Sequence, residues 1–306
     1  MLQKGTGSAA ASRFSLLSLV YKFKGTLVTM EPAGDLWGLL QRSGHPITRP
    51  VSVPEYSGST RGGGSALQSG GGFVDTHGTT VIAVKFDKGV LNLGDRRATA
   101  NFAIMYDRAE KVLPIDEFTL LAISGSFARA MEVVRYLRTS FKLFERTYLQ
   151  PMSLEGKLAE LAKVVRAGIP DAMQGIGGFI PILTTFDTEQ SEGRIFFYDG
   201  MGARFESAEF GAAGSGSTQI RGVFDYIVKT RKPFHQMSLA EALKEALYLL
   251  DIAADLDAAT GGWAKYLPLA TTITANGIED IPEDTLRKAV EEIEQATPGK
   301  ISIQRT

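Results

Sequence analysis

The stretch His77-Gly-Thr-Thr-Val-Ile-Ala-Val84 places a glycine before two threonines and an apolar run. The β-branched and small residues from Thr79 onward are typical of a buried strand. The same residues have the chemistry of a self-cleavage site, because scission of the bond between Gly78 and Thr79 would give Thr79 a free α-amine beside its own hydroxyl. Taken alone, the four residues Thr79–Ile82 are explained more simply as the start of a strand.

A free α-amine next to the Thr79 hydroxyl would act as its base. A threonine hydroxyl is a weak nucleophile until a base takes its proton. The reference pKa of an α-amine, roughly 7.7 to 8.0, leaves an appreciable neutral fraction near pH 7, whereas that of lysine, about 10.4, does not. Gly78 suits the cleavage, because without a Cβ it lets the Thr79 hydroxyl approach the preceding carbonyl. This hypothesis predicts a prosegment over residues 1–78 and a catalytic domain over residues 79–306.

Residues 1–78 differ in composition from the rest of the chain. They carry seven of the 33 Lys and Arg residues and four of the 34 Asp and Glu residues, so residues 79–306 hold 26 basic and 30 acidic residues. The stretch Ser57–Gly72 is rich in Gly and Ser and predicts a flexible linker. One well-buried domain fits the size of the remaining chain.

The first thirty residues contain four basic residues and no acidic one, around the apolar sequence FSLLSLVYKF at residues 14–23. This pattern weakly resembles a targeting peptide, but Lys22 interrupts its short apolar run. Translation from Met30 instead of Met1 explains the segment equally well. The sequence therefore leaves open both the true start and the role of the prosegment.

Composition excludes several classes of protein. The chain has no cysteine and only three histidines, His45, His77 and His235, so we expect no disulfide, no metal site and no cofactor. The near-neutral charge includes no run of Lys and Arg, and nucleic-acid binding is not expected. No apolar stretch reaches about 18 residues, which excludes a membrane-spanning helix.

Alternation of apolar and polar residues predicts two groups of strands. The first group has two strands within Thr80–Gly94, joined by the turn Asp87-Lys88-Gly89, and a further pair over residues 102–115 and 118–126 with a polar turn near Asp116. The second group is predicted over residues 179–187, 193–202 and 203–217. A hairpin is predicted around Asn276-Gly277.

Apolar residues at helical spacing predict four amphipathic helices, which contain the segments Ala130–Phe141, Leu158–Ile169, Leu239–Leu250 and Leu286–Ile293. Ser238 and Glu241 form a capping box at the start of the third helix, and the last helix is expected to begin after Pro282. The predicted order is strands, two helices, strands, two helices, then a hairpin and a helix, and one helix of the second pair has no assigned segment. We therefore predict an α+β fold of two packed antiparallel sheets with helices on their outer faces.

The spacing of several polar and glycine residues resembles the catalytic pattern of proteasome β subunits, which are N-terminal-nucleophile hydrolases. The matching elements are Thr79, Asp95 and Arg97 in GDRRAT, Lys111 in RAEKV, Gly125 in SGS, the sequence GSGS at Gly214–Ser217 and the sequence DAATGG at Asp257–Gly262. The resemblance covers residues 77–275, and the HGTT sequence is similar to that of the bacterial, actinobacterial-type branch. It implies a four-layer αββα sandwich.

The resemblance also implies roles for individual residues. Thr79 would be the nucleophile, and Lys111, held by Asp95, would lower the pKa of its hydroxyl and relay the proton. Gly125 would offer its backbone N–H to the oxyanion, at the start of a long helix. The residues that would hold the new amino terminus are Ser215, Asp257 and Thr260. Without the family, a Lys and an Asp sixteen residues apart are more often a surface pair.

A substrate pocket follows from the same resemblance. Its lining would consist of Ala98, Thr99, Ala109, Ile123, Phe127 and Met131, with Lys111 at the base. This apolar lining predicts cleavage after Leu, Tyr or Phe. Phe127 departs from the pattern, because the family usually has a small alanine there, and its ring is expected to shorten the pocket if it turns inward.

The family implies an endopeptidase that works inside a chamber in the cytoplasm. Seven-membered β rings would stack within a four-ring barrel capped by α subunits, and a ring ATPase would feed in unfolded or tagged proteins. Two alternatives remain, a non-catalytic structural β-type subunit and an N-terminal-nucleophile amidase that acts on small molecules. The related two-ring bacterial protease is disfavoured, because its chain begins almost directly at its threonine.

Overall fold

The computed structural model describes residues 79–100, 103–173, 178–199 and 201–296, together with two short strands near the start of the chain. The chain divides into two compact units, Met1–Gln68 and Ser69–Thr306, and this division falls within the Gly/Ser-rich stretch Ser57–Gly72. In the first unit, β1 (Val20–Phe23) and β2 (Thr26–Thr29) pair antiparallel. The remainder of residues 1–78, including the predicted linker and Gly78, lies outside the described residues.

The described part of the second unit contains twelve strands and six α-helices. The strands are β3 (Thr80–Phe86), β4 (Gly89–Gly94), β5 (Ala98–Ala100), β6 (Ala103–Tyr106), β7 (Val112–Asp116), β8 (Thr119–Ala122), β9 (Ile182–Asp187), β10 (Glu192–Tyr198), β11 (Arg204–Ser207), β12 (Phe210–Gly214), β13 (Leu269–Thr274) and β14 (Gly277–Asp280). The α-helices are α1 (Phe127–Tyr148), α2 (Leu154–Ala167), α3 (Ile169–Met173), α4 (Ser217–Thr230), α5 (Leu239–Leu256) and α6 (Glu283–Ala296), and a 3₁₀ turn spans Phe234–Gln236.

Two five-stranded antiparallel sheets form the centre of the second unit. The first sheet has the strand order β12-β3-β4-β13-β14, and the second has the order β11-β10-β9-β8-β7. The short strands β5 and β6 form a separate two-stranded sheet. The predicted hairpin around Asn276-Gly277 is the β13–β14 connection, as expected.

The residues of β3 show why the two sheets pack face to face. Val81 and Ala83 belong to the apolar cluster between the sheets, whereas Ile82, Val84 and Phe86 belong to the cluster under the helices. Successive side chains of a strand point to opposite faces, so a strand buried on both faces reads as a continuous apolar run. The run after Thr79 is therefore a central strand.

Three apolar clusters define four layers. One cluster lies between the two sheets, a second joins the first sheet to α4, α5 and α6, and a third joins the second sheet to α1 and α2. Burying one large apolar side chain stabilises such a core by about 1.5–3 kcal/mol. The predicted αββα sandwich is confirmed.

Local signals account for several boundaries. The capping box at the start of α5 is present, since Ser238 accepts a hydrogen bond from the Glu241 backbone while the Glu241 side chain accepts one from Ser238. Helix α6 begins after Pro282, as predicted. None of the helices in the described part of the chain combines the length and apolar character needed to cross a bilayer.

The structure corrects the predicted elements in three places. The strand predicted over residues 102–115 is two strands, β6 and β7, because a polar segment from Asp107 to Lys111 separates them. The helix predicted through Ile169 ends at Ala167, because the chain turns at Gly168 before the short helix α3.

The third correction concerns residues 203–217, which do not form one strand. Strand β11 lies at the edge of the second sheet and β12 at the edge of the first sheet, so the chain crosses between sheets at residues 208–209. Helix α4 begins at Ser217, within the predicted strand. It is the helix that the predicted order contained but did not locate.

Candidate active site

Thr79 directly precedes β3, which begins at Thr80, and it is 5% exposed. Its carbonyl oxygen lies 3.4 Å from the Ser215 hydroxyl, which donates a hydrogen bond to it. Gly214 has a φ of +102°, and a Cβ at this position would lie 1.9 Å from the Thr79 oxygen. Only glycine fits there, because L side chains rarely adopt this backbone conformation and the close approach leaves no space.

Asp95 and Lys111 form a buried ion pair beside the Thr79–Thr80 peptide bond. The Lys111 Nζ donates to Asp95 Oδ1 at 2.7 Å, and the two side chains are 1% and 0% exposed. The same oxygen accepts the backbone N–H of Thr80 at 2.7 Å. Because Asp95 follows β4, the neighbour of β3, the sheet itself brings this carboxylate to the candidate nucleophile.

The second carboxylate oxygen of Asp95 also accepts hydrogen bonds. Asp95 Oδ2 accepts backbone N–H groups from Arg97 at 3.0 Å and from Gly261 at 2.8 Å. A buried carboxylate is tolerated when it is paired and fully hydrogen-bonded, as it is here. These contacts hold the carboxylate in one orientation toward Lys111.

Lys111 has a second acceptor and a perturbed pKa. Its Nζ also donates a hydrogen bond to the backbone carbonyl of Arg97. Burial lowers the pKa of Lys111 from its usual value, and the neighbouring Asp95 carboxylate opposes part of that effect. A buried lysine with a lowered pKa and one fixed carboxylate partner is a common feature of functional sites.

Ser215, Asp257 and Thr260 are brought together as one hydrogen-bonded group. Asp257 Oδ2 accepts from the Ser215 hydroxyl at 2.6 Å and from the Thr260 hydroxyl at 2.5 Å. Ser215 in turn contacts the Thr79 carbonyl. The three predicted residues are therefore linked to residue 79 through Ser215, although 42 positions separate Ser215 from Asp257 along the chain.

Thr80, Gly261 and the side chain of Arg97 also contribute contacts to the site, and the sequence did not predict them. The Thr80 hydroxyl lies 2.6 Å from that of Thr260 and accepts the Gly216 N–H at 3.1 Å. Arg97 Nη1 donates to the carbonyls of Ala258 and Thr260, at 3.0 and 3.1 Å. The second threonine of the Thr-Thr pair was the available signal for Thr80, but a strand position explained it equally well.

Gly125 occupies the turn before α1. It has a φ of +90°, and a Cβ there would lie 2.1 Å from the Gly178 carbonyl oxygen. Ser126 caps the helix by accepting the Arg129 N–H, and its own N–H donates to Gly178 O at 2.7 Å. The Ile123 N–H donates to Lys111 O at 2.8 Å, so strand pairing carries this turn to the Lys111 side of the site.

Comparison with known proteins agrees with this geometry, since residues 75–265 match the family model of proteasome subunits. The chain belongs to the proteasome subunit family. It is 37% identical over 233 residues to the proteasome subunit beta of Acidothermus cellulolyticus, which covers 73% of this chain and 78% of that protein. It is 38% identical over 227 residues to proteasome subunit beta 1 of Streptomyces avermitilis, with 71% and 78% covered. The predicted actinobacterial-type branch of the proteasome family is confirmed.

The six predicted pocket residues of this proteasome subunit lie on segments that flank Lys111. Ala98, which is half-buried, and Thr99, which is buried, lie on β5. Ala109 is buried close to Lys111 in the chain, and Ile123 is buried close to Gly125. Phe127 and Met131 are one turn apart on α1. The Ala109 N–H donates to the Arg96 carbonyl at 3.0 Å, which ties this segment to the end of β4.

Phe127 is half-buried and packs against the apolar cluster of the second sheet, as does Met131. Ile123 is a fully buried member of the same cluster. The Phe127 ring therefore packs in part against the protein's own apolar residues.

Proposed function

We propose that this chain is a catalytic, threonine-type endopeptidase subunit of a proteasome core particle, with Thr79 as its nucleophile. The observation that supports this most strongly is the position of Asp95 Oδ1, which accepts both Lys111 Nζ and the Thr80 N–H at 2.7 Å. A buried cation is thereby fixed beside the residue whose hydroxyl would react. Burial of an ion pair carries a large desolvation cost, and a catalytic role would account for it.

The proposed reaction begins when the α-amine of Thr79, directly or through a water, takes the proton from the Thr79 hydroxyl. The positive charge of Lys111 lowers the pKa of that hydroxyl. The oxygen attacks the substrate carbonyl carbon, and the Gly125 N–H stabilises the resulting oxyanion. The C–N bond breaks as the amine proton passes to the leaving nitrogen, and a water then hydrolyses the ester left on Thr79.

The α-amine exists only after the Gly78–Thr79 bond is cut. We propose that the Thr79 hydroxyl attacks the Gly78 carbonyl, that the resulting ester is hydrolysed, and that residues 1–78 leave as a prosegment. The hydrogen-bonded group of Ser215, Asp257 and Thr260 would then hold the new amino terminus. Residues 79–306 form the catalytic domain in this proposal.

We further propose that the subunit assembles with other β subunits into seven-membered rings flanked by rings of α subunits, in the cytoplasm. A ring ATPase would deliver unfolded or tagged proteins. The pocket lining of Ala98, Ala109 and Ile123 favours an apolar side chain before the cleaved bond, because a charged one would lose its hydration without a counter-charge.

Thr79→Ala tests the nucleophile in particles produced together with the α subunit of the same organism. The variant is expected to keep residues 1–78 attached and to lose peptide hydrolysis, whereas Thr79→Ser, which retains a hydroxyl, is expected to be processed and active. Intact mass and fluorogenic peptides measure the two properties. Processing and peptide cleavage by the Thr79→Ala particle would refute the proposal.

The same experiment separates the alternatives. An unprocessed wild-type subunit in inactive particles would indicate a structural role. Thr79-dependent hydrolysis of small amides with no cleavage of peptides would indicate an amidase.

A further inference from the structure

Asp107 lies at the start of the segment that separates β6 from Lys111, and it is 13% exposed. Its Oδ1 lies 3.6 Å from Arg97 Nε, and its Oδ2 accepts Lys265 Nζ at 2.6 Å. Lys265, which is 67% exposed, and Arg97, which is 25% exposed, thus face one carboxylate from two different loops. Neither the family resemblance nor the catalytic scheme gives Asp107 a role.

Arg97 connects Asp107 to the site through three kinds of contact. Its carbonyl accepts Lys111 Nζ, its N–H donates to Asp95 Oδ2, and its Nη1 holds the carbonyls of Ala258 and Thr260. The 3.6 Å between Arg97 Nε and Asp107 Oδ1 is an ion-pair distance, so Asp107 acts on the guanidinium by charge attraction. Because the guanidinium is a rigid planar fork, attraction at Nε also helps to aim Nη1 at the carbonyls of Ala258 and Thr260.

The charges around Lys111 and Arg97 also indicate a role for Asp107. Asp95, Asp257 and Arg97 are among the charged groups that act on Lys111, and the positive charge of Arg97 disfavours the charged form of Lys111. Asp107 faces Arg97 and offsets that charge. The hydrogen bond from Lys265 is the main cause that holds the pKa of Asp107 below its usual value, so the carboxylate stays ionised at the pH of any peptidase assay.

We infer that Asp107 is a positioning residue that orients Arg97 and balances its charge, and so keeps Lys111 in place and protonated for the reaction. This inference rests on the proposed function of Thr79 and Lys111. Asp107 itself touches no reacting atom. Its effect is transmitted through Arg97.

The test compares processed particles that carry wild-type, Asp107→Asn and Asp107→Glu subunits in peptide hydrolysis from pH 5 to pH 10. Asp107→Asn is expected to lower kcat roughly tenfold with little change in KM, the size of effect typical when a partner that orients a functional side chain is replaced. Arg97 would then be uncompensated, the pKa of Lys111 would fall, and the alkaline limb of the kcat profile would move to lower pH. Asp107→Glu is expected to restore most of kcat and the wild-type limb.

Glu155→Gln is the matched control, because it removes a carboxylate from another ion pair with an arginine. Glu155 pairs with Arg204 at 2.8 Å, and both side chains are more exposed than those of Asp107 and Arg97. Its kcat and pH profile are expected to equal those of the wild type. Equal profiles for Asp107→Asn and Glu155→Gln would overturn the inference, and so would a loss of kcat without a shift of the alkaline limb.

Crystal structures of the wild-type and Asp107→Asn particles separate this inference from the proposed function. In the variant, Arg97 is expected to leave the carbonyls of Ala258 and Thr260. If wild-type hydrolysis does not depend on Thr79, the proposed function is wrong, and the position of Arg97 alone then decides whether Asp107 orients it. An unmoved Arg97 would overturn the positioning role.

Discussion

At the scale of single residues, the chemistry depends on a lysine that the fold removes from water. Lys111 and Asp95 are almost completely buried, and their pairing is supported by backbone N–H groups from Thr80, Arg97 and Gly261. Because these donors remain when the lysine is replaced, the carboxylate keeps partial compensation. Lys111 can therefore be replaced while the Asp95 carboxylate keeps its hydrogen bonds from backbone N–H groups.

Lys111→Met is expected to lower kcat by roughly 10²- to 10⁴-fold, the usual contribution of a positioned acid–base group. In the wild type, burial lowers the pKa of Lys111, so activity is expected to fall at a pH below that of an ordinary lysine. The pH dependence of kcat, measured on particles whose Thr79 amino terminus is confirmed by mass, checks both points. Near wild-type turnover in the variant would remove Lys111 from the mechanism.

Phe127 offers a residue-scale prediction about specificity. Burial of about 100 Å² of an apolar side chain in the pocket stabilises the bound peptide by roughly 2.5 kcal/mol. If the ring shortens the pocket, the wild type prefers aliphatic over aromatic residues, and Phe127→Ala is expected to shift the preference toward Phe and Tyr. Fluorogenic peptides that differ only at the residue before the cleaved bond measure this. Dominant cleavage after Arg or Glu would contradict the pocket assignment.

At the scale of elements, the start of α1 is the feature that links fold to chemistry. The helix directs its positive end toward the turn that contains Gly125, where an oxyanion would be stabilised. That turn is tightly packed, because Gly125 forms a bridge with Phe179 and contacts the Gly178 carbonyl.

Gly125→Ala is expected to displace this turn. The added Cβ would lie 2.1 Å from Gly178 O, and the φ of +90° disfavours alanine. The free energy of unfolding is therefore expected to fall by about 1–3 kcal/mol, and kcat is expected to fall as well. Gly222→Ala is the control, because a Cβ there meets nothing within 4 Å and Gly222 lies inside α4. That change is expected to stabilise the helix by about 0.5–1 kcal/mol. Denaturation and peptide hydrolysis measure the two variants, and equal effects would contradict this account.

At the scale of the whole molecule, the candidate site is assembled at one end of a sandwich from segments that are distant in sequence. The contact between Asp95 and Gly261 spans 166 positions, and that between Thr80 and Thr260 spans 180. These contacts form only when β3, the end of β4 and the loop after α5 are in place. Self-cleavage would accordingly depend on a folded domain.

The sequence by itself determined the features that depend on local periodicity. The strand after Thr79, the Asn276-Gly277 hairpin, the capping box at Ser238 and the apolar faces of the helices were all predicted from residues a few positions apart, because strand and helix periods repeat over that range. The family resemblance named the site residues in advance, and their catalytic roles remain predictions.

Only the tertiary structure decided which segments meet. It divided residues 203–217 between two sheets, placed Thr80 against Thr260, and set Arg97 between Asp107 and Lys111. The alternation of residues 203–217 is compatible with one strand or with two, because period alone does not specify the partner strand. Contacts across the sandwich depend on how complete layers pack, and no short stretch of sequence contains that information.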